Sequence, residues 1–337
     1  MTYLKRAFVF GATIALGQNA IAATNITVAD AFPSGHYLSE EAMKYWMDEV
    51  TERTDGEVTF TYFTSGQMGS LADMLDMAQT GIADVVYVPM SSFADRLPLS
   101  GVAELPGFFE TSLRGTQAFQ SLLDSDLAKS EFEPEGVMPL MGALLPPYQI
   151  ASADKPIVAD EDWDGLRLRT PGGILEIAAN SVGATAVPMG GPDMYAAMQR
   201  GTVDATVNAF ASLNSYKLNE LLKAVSSNAS FGSFAFTMVI NKDVFDSLDP
   251  EIQTAMKDAG DATATHVAEW MDANERKIAQ SFADDGVEIY EVDPVILEGW
   301  NASLGEVANI WASRLDERGL AGTPTLESWK AAIEATK

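Results

Sequence analysis

Two arginines, Arg167 and Arg169, alternate with Leu166 and Leu168 and are followed by Thr-Pro-Gly-Gly at 170–173. The period of two predicts a short strand, which must end there because proline has no hydrogen-bond donor and paired glycines favour a turn. A guanidinium at the exit of a strand can hold a carboxylate through two parallel hydrogen bonds. Arg169 is therefore a candidate anchor for an organic anion. The alternative is a surface strand with two solvated arginines.

The chain is strongly acidic and contains no cysteine. Its 337 residues include 48 Asp and Glu against 21 Lys and Arg, a formal charge of −27. Such a charge disfavours nucleic acid and anionic membrane surfaces as partners. Because the negative charge of the whole protein repels anions, an arginine placed to bind an anion is stronger evidence of a dedicated binding site. Without disulfides, a core drawn from the 47% of hydrophobic residues has to stabilise the fold.

Residues 1–23 have the pattern of a secretory signal peptide. Lys5 and Arg6 precede an apolar run at 7–16, and Ala-Ile-Ala at 20–22 supplies the small residues before a cleavage site. The run is shorter than the roughly 20 apolar residues of a membrane span. The sequence thus predicts a soluble, exported protein.

Strands and helices alternate along the first part of the mature chain. Strand patterns at 26–29, 58–63 and 84–88 are separated by helical patterns, the first of them at 37–52. Strand–helix–strand units of this spacing predict a mainly parallel sheet flanked by helices.

Part of this unit recurs later in the chain. Residues 74–84 align without a gap with residues 194–204. The identical pairs are Met74/Met194, Gln79/Gln199, Gly81/Gly201 and Asp84/Asp204. In each copy a helix ends at glycine and a strand begins at aspartate, which predicts two similar lobes.

The connections between the lobes also have recognisable patterns. An apolar run with paired prolines at 144–150 predicts a crossover, and a return strand is predicted at 233–241. A helical pattern at 249–283 is long enough to bridge both lobes. The predicted lobes, with the ligand cleft between them, are 24–147 plus 233–272, and 148–232 plus 273–337.

Ligands of open α/β sheets bind beyond the carboxyl ends of the parallel strands. The repeat places Asn208 and Phe210 at such an end, on the same wall as Arg169, and the opposite wall is expected from first-lobe loops. The other candidate site residues are Phe32, His36, Gln67, Met90, Tyr148 and Phe231. For each aromatic residue the alternative is core packing, and for His36 it is a solvated loop position.

Six segments together resemble the DctP-type solute-binding proteins of tripartite ATP-independent periplasmic (TRAP) transporters. They are TDG at 54–56, QMG at 67–69, QTGIAD at 79–84, WDGLRLR at 163–169, GATAVPM at 183–189 and YAAMQRGTVD at 195–204. The resemblance covers essentially the whole mature chain. It implies an α/β, two-lobed periplasmic binding protein of the type II-like kind, with a mainly parallel sheet in each lobe and a long interlobe helix. It further implies a monomer that is not an enzyme, closes on a small organic acid and delivers it to a membrane permease.

The resemblance also implies roles for individual residues. In such proteins the arginine at the position of Arg169 holds the ligand carboxylate, and an asparagine at the position of Asn208 assists. Many members carry a second arginine in the crossover, where this chain has Gln149 beside Tyr148. An amide and a phenol offer neutral hydrogen bonds rather than a second charge. The expected ligand is therefore a monocarboxylate, aromatic or otherwise apolar, rather than a dianion or a highly oxygenated acid.

Other classes of exported protein fit the residues less well. A hydrolase would need a nucleophile and a base, but there is no Gly-x-Ser-x-Gly motif, and His36 and His266 lie far apart in the sequence. A binding protein for an ABC importer or a chemoreceptor would share the two lobes but not the six segments. No cluster of His, Asp and Glu has the spacing of metal ligands, so no metal and no cofactor is predicted.

Overall fold

The computed structural model describes residues 23–336, so the predicted signal peptide lies outside the described residues apart from its last position. The strands are β1 (Thr24–Ala29), β2 (Val58–Phe63), β3 (Val85–Pro89), β4 (Val137–Leu144), β5 (Gln149–Ser152), β6 (Arg167–Thr170), β7 (Thr185–Pro188), β8 (Ala205–Asn208), β9 (Ala224–Ser226), β10 (Ala235–Asn241) and β11 (Glu288–Tyr290). The α-helices are α1 (Tyr45–Arg53), α2 (Met74–Thr80), α3 (Ser112–Leu122), α4 (Ile174–Ser181), α5 (Met194–Gln199), α6 (Phe210–Ser215), α7 (Lys242–Ser247), α8 (Pro250–Asp284), α9 (Pro294–Glu317) and α10 (Gly322–Ala335).

The strands of this part of the chain form two mixed sheets, one in each lobe. The first has the order β2-β1-β3-β10-β4 and the second the order β11-β9-β5-β8-β6-β7. β10 in the first sheet and β5 in the second run antiparallel to both of their neighbours, and the other strands of each sheet share one direction. The predicted two-lobed α/β fold with mainly parallel sheets is confirmed.

Two chain crossings lie side by side between the lobes. β4 leads into β5, and β9 leads back into β10. The backbone amide of Leu145 donates to the carbonyl of Phe234 (3.0 Å), and that of Tyr148 donates to Gly232 (2.8 Å). Each sheet thus receives one strand directly from the other lobe, and these two strands are its antiparallel members.

The helix α8 touches both lobes along its 35 residues. It packs on α1, α3 and β4 in the first lobe and on α6 and β11 in the second. Among residues 23–336 no helix is both long and apolar enough to cross a membrane.

The last helix contacts both predicted lobes. The sequence places all of 273–337 in the second lobe, and α10 packs on α9 of that predicted lobe and also on α3 of the first. Arg114 Nη2 donates to the carbonyl of Ile333 (3.2 Å), and the ring of Trp329 meets Phe109 edge-on. A helical pattern identifies the buried face of a helix but not the lobe that covers it, which is why the sequence missed this packing.

The internal repeat makes equivalent hydrogen bonds in both lobes. Asp84 Oδ2 accepts from the backbone amide of Thr27 (2.7 Å), and Asp204 Oδ2 accepts from that of Arg167 (2.9 Å). Each aspartate thereby ties its strand to the parallel neighbour. The glycine that ends each helix has positive φ (69° and 64°), which glycine adopts without steric cost. These contacts give a physical reason for the repeated Gly and Asp.

Candidate ligand-binding site

Arg169 lies at the carboxyl end of β6, where the strand reaches the space between the lobes. Its side chain is only 3% exposed. Its Nε and Nη2 both donate to the carbonyl oxygen of Met189 (3.1 and 2.7 Å). Burial lowers the pKa of Arg169, yet an arginine remains charged in a protein. Within residues 23–336 no carboxylate forms an ion pair with it, and the charge of Asp193 acts on it only at longer range, so the second lobe presents a buried cation without a directly paired anion.

Arg167 lies on the same face of β6 but at its open start. It forms an exposed ion pair with Asp204 (2.5 Å). Position along the strand therefore separates the two arginines: Arg167 has a partner at the surface, and Arg169 faces the other lobe.

Arg169 lines a small cavity between the lobes, here called the site cavity. Its volume is about 40 Å³, which has room for only a few water molecules. An organic acid can therefore enter only if the lobes move apart. First-lobe residues around it include Phe32, His36, Leu71, Ser92 and Phe234. Residues from the crossing and the second lobe include Tyr148, Arg169, Gly191, Asn208, Ser212 and Tyr216.

Aromatic rings form much of the wall. Phe32 is stacked on His36, with centroids 4.3 Å apart and planes 13° apart. The ring of Tyr216, from the second lobe, lies 5.0 Å from that of His36. An apolar, flat ligand body would find matching surfaces here.

His36 is a neutral hydrogen-bond donor in this wall. Its Nδ1 accepts from the backbone amide of Leu38 (3.2 Å), so the ring proton of the neutral form lies on Nε2. Burial lowers the pKa of His36 to about 3. Within residues 23–336 its Nε2 has no partner.

Further donors surround Arg169. Asn208 accepts from the backbone amide of Ala209 through Oδ1 (3.0 Å), and its Nδ2 reaches only the sulfur of Met194 (3.9 Å). The hydroxyls of Tyr148 and Tyr216 make no hydrogen bond to the described part of the chain. The cavity therefore combines one cation with several neutral donors.

The lobes touch directly beside the cavity. Tyr37 Oη, in the first lobe, is 3.1 Å from Ser212 Oγ in α6. After β6 the chain turns at Gly172 and Gly173, both with positive φ, and a Cβ at Gly173 would lie 3.4 Å from the Cα of Ser91. These contacts can form only when the lobes are together.

The structure places Gln149 outside the cavity. Its Nε2 donates to the carbonyl of Ala229 (2.8 Å), and its Oε1 accepts from the backbone amide of Ala229 and from Ser226 Oγ (both 3.0 Å). Successive residues of an extended chain point to opposite sides. Since Tyr148 faces the cavity, Gln149 faces away from it.

Four other predicted site residues also lie elsewhere. Phe210 packs edge-on against Phe282 (5.8 Å), and the ring of Phe231 lies tilted against that of Trp163 (5.6 Å), so both are core residues of the second lobe. Gln67 is in an exposed loop. Met90 lines a different, open groove of about 580 Å³.

Sequence reasoning missed Tyr216 and the glycines before α5. A Cβ at Gly191 would lie 2.4 Å from Tyr216 Oη, so a residue without a side chain is needed there. The internal repeat could have identified Gly191. When the alignment of 74–84 with 194–204 is extended three residues toward the N-terminus, it pairs Leu71 with Gly191, and both residues line the cavity.

Other proteins are similar to this chain in sequence or in fold. The chain is 26% identical over 249 residues to the 2,3-diketo-L-gulonate-binding periplasmic protein YiaO of Escherichia coli (strain K12), covering 74% of this chain and 75% of that protein. Its fold is similar to that of a TRAP solute-binding protein from Rhodoferax ferrireducens T118 in complex with copurified benzoate. The TM-score is 0.87 and the identity 21%, over 93% of this chain and 98% of that one.

A marine metagenome TRAP solute-binding protein, described as specific for aromatic acid ligands, has the same fold. In its complex with 3-hydroxybenzoate the TM-score is 0.87 and the identity 22%, over 94% of this chain and 99% of that one. Both structural likenesses support the two-lobed fold.

The sequence profile of the DctP family, bacterial extracellular solute-binding protein family 7, matches residues 28–314. This range includes both sheets apart from the start of β1, and all the residues named above around the site cavity. The predicted resemblance is confirmed: the chain belongs to the DctP family, the periplasmic solute-binding proteins that capture small organic acids for TRAP transporters.

Proposed function

We propose that this protein captures an aromatic or otherwise apolar monocarboxylate in the site cavity by closure of its lobes and delivers it to a TRAP permease. The observation that carries the proposal is the buried Arg169, which forms no direct ion pair with a carboxylate of the described chain. The closing bodies are the two sheet lobes. The ligand contacts are assigned to Arg169, Asn208, Tyr148, Phe32, His36 and Tyr216.

The affinity would come from both walls. A hydrogen bond to a charged group contributes about 1.5–3 kcal/mol, so two such bonds from Arg169 supply a large share of the roughly 8 kcal/mol of a micromolar complex. Burial of the apolar ligand body against Phe32 and its neighbours supplies the rest. Because contacts from both lobes are needed, binding favours the closed arrangement.

The composition of the cavity favours one carboxylate and an apolar body. Among residues 23–336, Arg169 is the only arginine or lysine that lines it, His36 is neutral, and Tyr148 offers a phenol. Similar structures hold benzoate and 3-hydroxybenzoate, whereas the Escherichia coli relative is named for a sugar acid. The aromatic walls favour the first kind of ligand.

Calorimetry on the mature protein, unfolded and refolded to remove copurified ligand, tests this proposal. Benzoate should bind with a dissociation constant on the order of micromolar, and galacturonate, a polyhydroxylated acid, should give no heat. Binding of galacturonate without binding of benzoate would contradict the assigned ligand class.

The role of Arg169 is tested by a matched pair of variants. Arg169→Met keeps much of the side-chain volume and removes the cation, so benzoate should bind at least about 100-fold more weakly, the loss expected for two charge-assisted hydrogen bonds. Arg167→Met breaks only the exposed pair with Asp204 and should leave the affinity unchanged. Equal affinities for the two variants would remove the basis of the proposal.

A further inference from the structure

We propose that His36 forms a second subsite, which selects ligands carrying a neutral oxygen remote from the carboxylate, such as the hydroxyl of a hydroxybenzoate. This inference rests on the proposed function and deepens it, because it names the part of the ligand that the first lobe recognises. The observations are the position, tautomer and surroundings of one imidazole.

The His36 ring is held in a fixed orientation. It is 1% exposed and lies between the rings of Phe32 (4.3 Å) and Tyr37 (4.9 Å), nearly parallel to the first. The hydrogen bond from the Leu38 amide to Nδ1 fixes the orientation of the ring about its Cβ–Cγ bond. The ring therefore offers its other nitrogen in one direction.

That other nitrogen is a donor without an acceptor. With Nδ1 occupied, Nε2 carries the proton, and within residues 23–336 nothing accepts it. Buried polar groups in native proteins are nearly always hydrogen-bonded. Since His36 lines the site cavity, a ligand atom is the natural acceptor.

The first-lobe side of the site cavity disfavours a charged ligand group as the acceptor for His36. Asp30, only 1% exposed, accepts from the Phe32 amide (3.1 Å) and from Ser39 Oγ (2.7 Å), and its second partner at Oδ2 is Tyr62 Oη. A buried carboxylate next to Phe32 repels an anion, and His36 is neutral. The ligand carboxylate therefore belongs at Arg169 in the second lobe, and an uncharged hydroxyl or keto oxygen belongs at His36.

Binding of benzoate and of its 2-, 3- and 4-hydroxy derivatives to the wild-type protein measures the preference. We expect at least one isomer to bind about tenfold more tightly than benzoate, the gain of one well-placed hydrogen bond. In His36→Phe this ratio should fall to about one, whatever the change in the affinity for benzoate itself, because the variant lacks the donor that only the hydroxylated acids engage. Tyr87→Phe is the matched control, because Tyr87 Oη is also buried and unpartnered, and its ring meets Phe32, but it does not line the cavity. Its ratio should equal that of the wild type.

Two outcomes overturn the inference without touching the proposed function. If His36→Phe weakens benzoate and its derivatives by the same factor, the ratio is unchanged and His36 contacts the carboxylate end that these ligands share. If the variant binds all of them as tightly as the wild type does, His36 does not contact the ligand. Failure of the wild type to bind any of these acids would instead defeat the proposed function and the inference together.

NMR of the wild-type protein tests the same inference without requiring that a variant fold. The chain has only two histidines, so ¹⁵N-histidine labelling gives two imidazoles, His36 and His266. The Nε2 resonance of His36 should have the shift of a protonated nitrogen in a neutral ring down to pH 5. It should move more on addition of the preferred hydroxybenzoate than of benzoate. Equal movement with both ligands would contradict the subsite.

Discussion

Arg169 is oriented before any ligand arrives. The Met189 carbonyl accepts from Nε and Nη2 together, so one edge of the guanidinium is already used by the backbone. Both N–H groups of Nη1 and the second N–H of Nη2 remain for the ligand carboxylate. A side chain held in this way loses little conformational entropy on binding, which makes the backbone around Met189 part of the recognition device.

The glycines that follow Met189 allow a direct test of this arrangement. A Cβ at Gly191 would meet Tyr216 Oη at 2.4 Å, whereas a Cβ at Gly190 would meet nothing closer than 3.7 Å. We expect Gly191→Ala to displace the Tyr216 ring from the cavity wall and to weaken benzoate binding about tenfold, the loss of roughly one hydrogen bond or ring contact. Gly190→Ala should bind as the wild type does. Calorimetry on both variants checks this, and equal affinities would show that Tyr216 is not a ligand contact.

At the scale of elements, α8 is attached to the starts of two helices in different lobes. Asp272 accepts from the backbone amides of Ser112 (2.7 Å) and Leu113 (3.0 Å) at the start of α3. Glu275, almost one turn later, accepts from those of Phe210 and Ala211 (both 3.0 Å) at the start of α6. Carboxylates stabilise helix N-termini by pairing with their free amides. One helix thus serves as the common support about which the lobes can move.

Glu275 should give the stability a distinct pH dependence. Burial raises its pKa from 4.5 to about 7, so between these values the folded protein binds more protons at this group than the unfolded chain does. Its contribution is therefore greatest below pH 4.5 and is lost as the pH rises to 7, by at most about 3 kcal/mol. Glu275→Gln removes this ionisation, so the free energy of unfolding of the variant relative to the wild type should rise over that interval. Urea unfolding at several pH values measures it.

A matched control for this prediction lies on the same helix. Glu269 is exposed, so Glu269→Gln should differ from the wild type by a constant amount at every pH. If Glu275→Gln also differs by a constant amount, the buried carboxyl is not coupled to folding in the way described.

The elements were more predictable from the sequence than the side chains that face the cavity. β2 is found at the predicted 58–63, and α8 within a residue of the predicted 249–283, because each has a strong periodic pattern. The sequence predicts both Tyr148 and Gln149 in the site, but in the structure only Tyr148 faces the cavity. The direction of a side chain in the crossing depends on pairing with β8 and β9, partners distant in sequence.

At the scale of the whole molecule, the net charge repels an approaching anion, whereas Arg169 attracts the bound carboxylate. The chain carries a net charge of −27, yet the site cavity holds one buried cation. The long-range field repels an approaching anion, and salt screens this field strongly, since the Debye length falls from about 30 Å at 0.01 M to about 8 Å at 0.15 M. The contact between a bound carboxylate and the buried Arg169 is screened much less.

The association rate of benzoate should therefore increase with ionic strength. We expect a rise of a few-fold between about 0.01 and 0.15 M salt, with little change in the dissociation rate. Stopped-flow tryptophan fluorescence is a suitable probe because Trp270 is stacked on Tyr37 (5.4 Å), which bonds to Ser212 across the lobes. Sucrose at matched viscosity controls for effects unrelated to charge. A rate that falls with added salt would mean that the local positive potential of Arg169, rather than the net charge of the molecule, governs the approach of the ligand.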